Sequence, residues 1–151
     1  LGFRSKAREC AFQMLYQWDQ SREPMPRVMG HFWKLRASTD RTRALAEGLA
    51  RGAQEKLTEI DAVIDRHLQN WRFERLAAVD LTVLRLGVHE LMHVPETPGK
   101  TVIDEMVEVA KRFGEADSPA FVNGVLDAVY HEVRQEPPAE GQRPRRKRER
   151  A

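Results

Sequence analysis

Apolar residues recur at spacings of three and four along most of the chain, the period of helices with one buried face, and no segment shows the two-residue alternation of a strand. Residues 4–18 set Ala7, Cys10, Ala11, Met14, Leu15 and Trp18 on one face. Arg8, Phe12 and Tyr16, each four residues from the next, form a second ridge that fits either an aromatic contact surface or packing against a second subdomain. The stretch from Ser21 to Gly30, with Pro24 and Pro26, reads as a connector followed by a short helix through Phe32, Trp33 and Leu35. Ser38, Thr39 and Asp40 offer caps for a helix through Leu45 and Leu49, and Thr58 caps another that carries Ile60, Val63, Ile64 and Leu68.

The run from Glu74 to His93 is apolar around most of its circumference, which predicts a central buried helix stopped by Pro95. After Pro98-Gly99, the residues Val102, Ile103, Met106, Val107, Ala110 and Phe113 mark one face of a further helix that ends at Gly114. Asp117-Ser118-Pro119 then predicts a helix start, with Ser118 as cap and Pro119 at the first position, where its missing N–H costs nothing. Inside that last helix Asn123-Gly124 is a poor pair, glycine alone costing about 1 kcal/mol relative to alanine. Either Gly124 lets a neighbouring helix come close, or the polar start of the helix and Phe121 form a surface for a partner. The expectation is an all-α, compact bundle of about six or seven helices spanning residues 1–136, with 137–151 a disordered, basic, Pro- and Arg-rich tail.

Charge changes the picture only locally. The 151 residues carry a formal net charge of +2, yet the tail from Arg143 holds six basic residues against Glu149, so the remainder is net acidic. Polyanion binding by the folded part must rest on where cations cluster. One cluster is Arg4, Lys6 and Arg8, answered by Glu9. The single cysteine, Cys10, cannot build a disulfide framework within the chain. No stretch approaches the roughly 20 apolar residues of a membrane span, and Leu1–Lys6 lacks the apolar region of a signal peptide, so a cytoplasmic location with no membrane partner is expected.

His89-Glu90-Leu91-Met92-His93 matches H-E-x-x-H, in which two imidazoles one helical turn apart bind zinc and the glutamate activates water. A zinc-dependent hydrolase is therefore the alternative function. Against it, Glu96 and Gly99 stand where a longer motif needs a glycine and a third histidine, and the pair falls on the last turn before Pro95. Nucleotide-binding glycine loops and a nucleophile elbow are missing, so no catalytic residue, metal or cofactor is assigned.

Three motifs in order carry a resemblance. They are Ala7-Arg8-Glu9-Cys10-Ala11 with Gln13 and Leu15-Tyr16; Val79-Asp80, Val83-Leu84-Arg85-Leu86-Gly87 and Glu90-Leu91; and Val109-Ala110-Lys111-Arg112-Phe113-Gly114 followed by Ser118 and Phe121-Val122-Asn123-Gly124-Val125-Leu126-Asp127. Together they resemble the transcription antitermination factor NusB family. The family commonly has Tyr where this chain has His89, and Ile-Asn-Glu in place of Ile103-Asp104-Glu105. The resemblance implies two packed three-helix subdomains and an RNA-binding partner protein rather than a catalyst. It implies pairing with NusE, a small-subunit ribosomal protein, and recognition of single-stranded boxA RNA. It further implies assembly with NusA, NusG and RNA polymerase to suppress termination in ribosomal RNA operons. NusB-like chains occur as monomers and as homodimers.

On this reading Arg4, Lys6 and Arg8 contact phosphates, while Asp117, Ser118 and Phe121 at the start of the last helix meet the same strand with backbone amides and a ring. The resemblance places the protein partner on Tyr16, Glu74 and Asp80, although pairing with Arg75 or Arg85 is an equal explanation for Asp80.

Overall fold

The helical period becomes seven α-helices and one 3-10 turn among residues 2–134, the part described by this computed structural model, and no strand forms there. Helix α1 (Phe3–Ser21) ends at Arg22, whose left-handed backbone (φ 64°) lets its N–H reach the Trp18 carbonyl at 3.0 Å. Helix α2 (Met25–Lys34) starts earlier than expected. Pro24 sits at its N-cap and Pro26 in its first turn, positions that need no N–H, so the connector shrinks to three residues and Gly30 is helical. Helix α3 (Asp40–Glu55) is capped as predicted, the Thr39 hydroxyl accepting from the Thr42 N–H at 3.1 Å. Helix α4 (Leu57–Arg66) begins one residue before Thr58, which therefore does not cap it.

The long apolar run is not one helix. A 3-10 turn at Phe73–Arg75 and an extended step at Leu76 and Ala77 precede helix α5 (Ala78–His93), which turns Glu74 out to solvent. Helix α6 (Gly99–Phe113) and helix α7 (Ser118–Val133) complete the chain. The basic tail expected from 137 onwards lies outside the described residues.

Helices α1, α2 and α3 pack as one group, and α5, α6 and α7 as another, with α4 joining α3 to α5 and α7. Helix α1 lies against α5 and α6 as well, so the two groups share one continuous apolar core. Close approach is built in at two glycines of the α5 interfaces: a Cβ on Gly52 would run into the His89 ring, and one on Gly87 would sit 2.7 Å from Leu126 Cδ1. The second ridge of α1 also proves to be packing. Phe12 is buried, its ring 4.9 Å from Phe113 on α6 and 5.9 Å from Tyr16.

Two buried arginines tie the groups together. Arg8 on α1 donates to Glu90 on α5 through Nε at 3.0 Å and Nη2 at 2.6 Å, and to Glu105 on α6 at 3.5 Å. Arg85 on α5 forks onto Asp61 of α4 at 2.9 and 2.8 Å and reaches Asp19 of α1 at 3.3 Å. Among the described residues no helix is long and apolar enough to cross a membrane.

Candidate nucleic-acid and partner interface

Helix α7 starts differently from the simplest reading of its sequence. The N-cap is Asp117, with helical rather than extended backbone (φ −92°, ψ −4°) and no side-chain capping bond. Ser118 is buried at 1 % exposure; its hydroxyl accepts from the Glu115 N–H at 3.0 Å, and its own N–H donates to the Glu115 carbonyl at 3.1 Å. A Cβ on Gly114 would come within 2.6 Å of that hydroxyl, so Gly114 and Ser118 together shape the α6–α7 turn. The expected Ser118 contact to RNA is therefore corrected to a structural role. The Phe121 N–H already donates to Asp117, and Pro119 has none, so three of the four end positions offer no open amide.

What this end does expose is Asp117, Ala120 and one aromatic pair. The half-buried Phe121 ring meets Trp71 edge-on, centroids 5.5 Å apart, and Trp71 is 58 % exposed. The two rings wall a shallow groove of about 370 Å³ with His67, Leu68, Ala120 and Gly124. A Cβ on Gly124 would meet nothing within 4 Å. The close-approach explanation of Gly124 is thus overturned: the glycine opens the groove floor instead of admitting a helix. Trp71 was absent from the residues chosen on sequence. Its signal was a large aromatic in the polar connector Gln69-Asn70-Trp71-Arg72, where nothing in the local period calls for burial.

The basic segment splits. Arg4 is exposed, its guanidinium 4.7 Å from the centre of the Phe3 ring, which Arg41 also covers at 3.9 Å. Lys6 is exposed and lines a cleft between α1, the α2–α3 connection and the carboxyl end of α6. Arg8, expected to touch phosphate, is corrected: at 4 % exposure it is enclosed with Glu90 and Glu105. Burial alone would lower its pKa, but the Glu90 and Glu105 carboxylates together outweigh burial and hold it above the ordinary arginine value. The helical period could not show this, because the two acids lie more than 80 residues further along the chain. The amino end of α1 and the start of α7 are linked through α6, by Arg112 on Glu9 at 3.3 Å and Phe113 on Phe12.

Of the partner candidates, Glu74 is exposed on the 3-10 turn, three residues from Trp71, and Tyr16 is half-buried beside Phe12. Asp80 lies in the first turn of α5 with Oδ1 buried and without a hydrogen-bond partner in the structure. Arg85 does not answer it, being committed to Asp61 and Asp19. An unpaired buried carboxylate oxygen is costly, and neither Arg75 nor Arg85, the two internal partners considered for Asp80, pairs with it.

The H-E-x-x-H residues diverge. Glu90 is held by Arg8, while His89 packs at 6 % exposure against Gly52, and His93 lies 3.1 Å from Glu59. The group that would activate water is thus locked in an ion pair with an arginine. Among the described residues no three His, Cys, Asp or Glu side chains are grouped to hold a metal.

The NusB family model matches residues 5–131 of this chain. The chain belongs to the NusB family. A transcription antitermination protein NusB from Sorangium cellulosum is 45 % identical over 129 residues, covering 85 % of this chain and 92 % of that protein. One from Koribacter versatilis is 41 % identical over 133 residues, covering 87 % and 91 %. Among solved structures, T. maritima NusB superposes with a TM-score of 0.78 at 34 % identity, over 85 % of this chain and 91 % of that one. NusB crystallised with NusE and double-stranded RNA superposes with a TM-score of 0.79 at 31 % identity, over 85 % and 96 %. The NusB fold is therefore the all-α arrangement described above.

Proposed function

We propose that this NusB-family chain is an RNA-binding antitermination factor that pairs with NusE, and that the pair recognises single-stranded boxA RNA. In the cell it would join NusA and NusG on RNA polymerase to suppress termination in ribosomal RNA operons. The observation that carries this reading is the match over most of the chain to a NusB solved together with NusE and RNA. The surface described here supports it. The Trp71–Phe121 groove offers faces on which splayed bases stack, Arg4 and Lys6 offer exposed charge for the backbone, and the exposed Asp117 at the N-cap of α7 can accept from base amino groups.

The NusE-facing surface is assigned to Tyr16, Glu74 and Asp80, with Asp80 as its most informative member. Asp80→Lys should abolish co-elution with NusE on gel filtration, and the milder Asp80→Asn, which keeps the shape and adds no cation at the helix start, should weaken it. Retained co-elution would remove Asp80 from the interface. The function as a whole is tested by competition between boxA-like RNA and a scrambled strand, with and without NusE. Selective displacement that strengthens with NusE is expected, and equal competition by the scrambled strand would refute the assignment.

A further inference from the structure

Beside the surface already assigned lies a cleft of about 300 Å³ between α1, the α2–α3 connection and the carboxyl end of α6. Lys6, Arg36 and Arg112 supply three cations to its lining, Ser38 and Thr42 supply hydroxyls, and Glu9 is the one acid there. These cations come from three separate elements, so no stretch of sequence shows them together. Arg36 is pre-positioned, its guanidinium stacked 4.1 Å from the centre of the Phe32 ring. Arg112 is 60 % exposed and touches Glu9 at 3.3 Å, a surface pair weak enough for a competing anion to redirect.

We propose that this cleft binds a backbone phosphate of the same RNA strand, extending its track from the Trp71–Phe121 groove past the α6–α7 turn to α1. This rests on the functional reading above and adds to it a phosphate site built by Arg36 and Arg112. The ligand is a phosphodiester rather than a base, because the lining offers donors and positive charge while its one large ring, Trp33, is buried with Nε1 committed to Glu47 at 2.8 Å. Continuity argues for RNA over free phosphate. Lys6 belongs to both surfaces, and Arg112 is followed by Phe113 and Gly114, the residues that lead into the α7 start. The cleft is also open, with both arginines exposed, as a strand passing through requires.

Two readouts test it. In titrations of boxA-like RNA across a salt series, Arg36→Ala and Arg112→Ala should each weaken binding several-fold, and the pair should remove about 0.7 from the slope of log affinity against log salt, the value of one single-strand phosphate. Glu9→Gln should act oppositely and tighten binding, and Lys100→Ala, at the far end of α6, should change neither quantity. Cys10, the only cysteine, lines the cleft and reports occupancy directly. Burial raises its pKa against the opposing charges of Arg36 and Lys6, so iodoacetamide labelling is followed at alkaline pH. RNA should slow that labelling in the unsubstituted protein and not in the Arg36→Ala, Arg112→Ala double variant. An unchanged salt slope, or labelling that RNA does not slow, overturns the cleft assignment. So does protection by millimolar inorganic phosphate where RNA gives none. If the unsubstituted protein fails to prefer boxA-like RNA over a scrambled strand, the functional reading fails instead, which keeps the two failures distinct.

Discussion

The two ends of α5 treat charge in opposite ways. Near its carboxyl end Glu90 is 2 % exposed and fully engaged by Arg8, which brings in Glu105 from α6. In its first turn, about 15 Å away along the helix, Asp80 keeps a buried oxygen with no partner in the structure, and the segment leading into that turn leaves Trp71 and Glu74 exposed. A buried charge that finds its partners ties the helices together, whereas a buried carboxylate oxygen left without one costs stability. The same contrast divides the basic segment of α1, where Arg8 belongs to the seam and Lys6, two residues earlier, to the surface.

Breaking the seam should produce the largest effect. Arg8→Ala strands Glu90 in the core, at a cost of about 3–5 kcal/mol, and should lower the thermal midpoint by about 10–20 °C. Replacing both partners with apolar residues, Arg8→Met with Glu90→Leu, should recover most of that loss. The salt slope of RNA binding in this double variant should match the original protein's; a slope reduced by a full phosphate would return Arg8 to the RNA surface.

The carboxyl end of α5 also carries a pH dependence. Burial, helped by the charges of His93 and Lys56, pushes His89 down to about 4, so the folded protein holds it neutral. The unfolded chain takes up that proton near pH 6.5. Stability from this group is therefore complete above about pH 6.5 and is lost as pH falls toward 4, a change on the order of 3 kcal/mol. Denaturant unfolding at pH 7 and pH 5 should show the decline, and His89→Leu should flatten it. An equal decline in that variant would place the dependence elsewhere.

How much of this was legible in the sequence follows from what periodicity encodes. The inner faces of α1, α6 and α7 were legible because burial of Ala7, Met14, Val102, Met106, Val122 and Leu126 repeats at the helical period. The seam was not, since a cation at a helical position carries no mark of an acid that only tertiary folding brings alongside it. The α7 start was half legible. Asp117-Ser118-Pro119 located it correctly, but Ser118 turned inward to hold the Gly114–Glu115 turn, a choice made by packing rather than by local propensity. Gly124 was misjudged in one of its two readings for a similar reason, because only the arrangement of α4, the Trp71 connector and α7 shows that its face is open.

At the open end the expected effects are smaller in stability and specific to binding. Trp71→Ala removes one wall of the groove without touching the buried core, so it should leave the unfolding midpoint within about 0.5 kcal/mol of the original. RNA affinity should fall by about 1–3 kcal/mol, the value of one base stacked on an aromatic ring. Phe121→Ala should act on the same base, and the double variant should lose less than the two single losses added together. Full additivity would mean that the two rings serve separate bases.

The smallest predicted effect has the most informative sign. Asp117 is exposed at the N-cap of α7 with no capping bond from its side chain, so removing its charge disturbs little of the helix start. Beside a polyanion its carboxylate repels phosphate, whereas its only constructive contact with RNA is to accept from a base amino group. Asp117→Asn cancels the repulsion and keeps an acceptor oxygen in place, so it should tighten binding to boxA-like RNA several-fold, with scrambled strands gaining as much or more. Titration at fixed salt reads both strands. A drop in affinity for the boxA-like strand alone would show that the charge itself is recognised, and would shift Asp117 from a restraint on binding to a direct reader of the base.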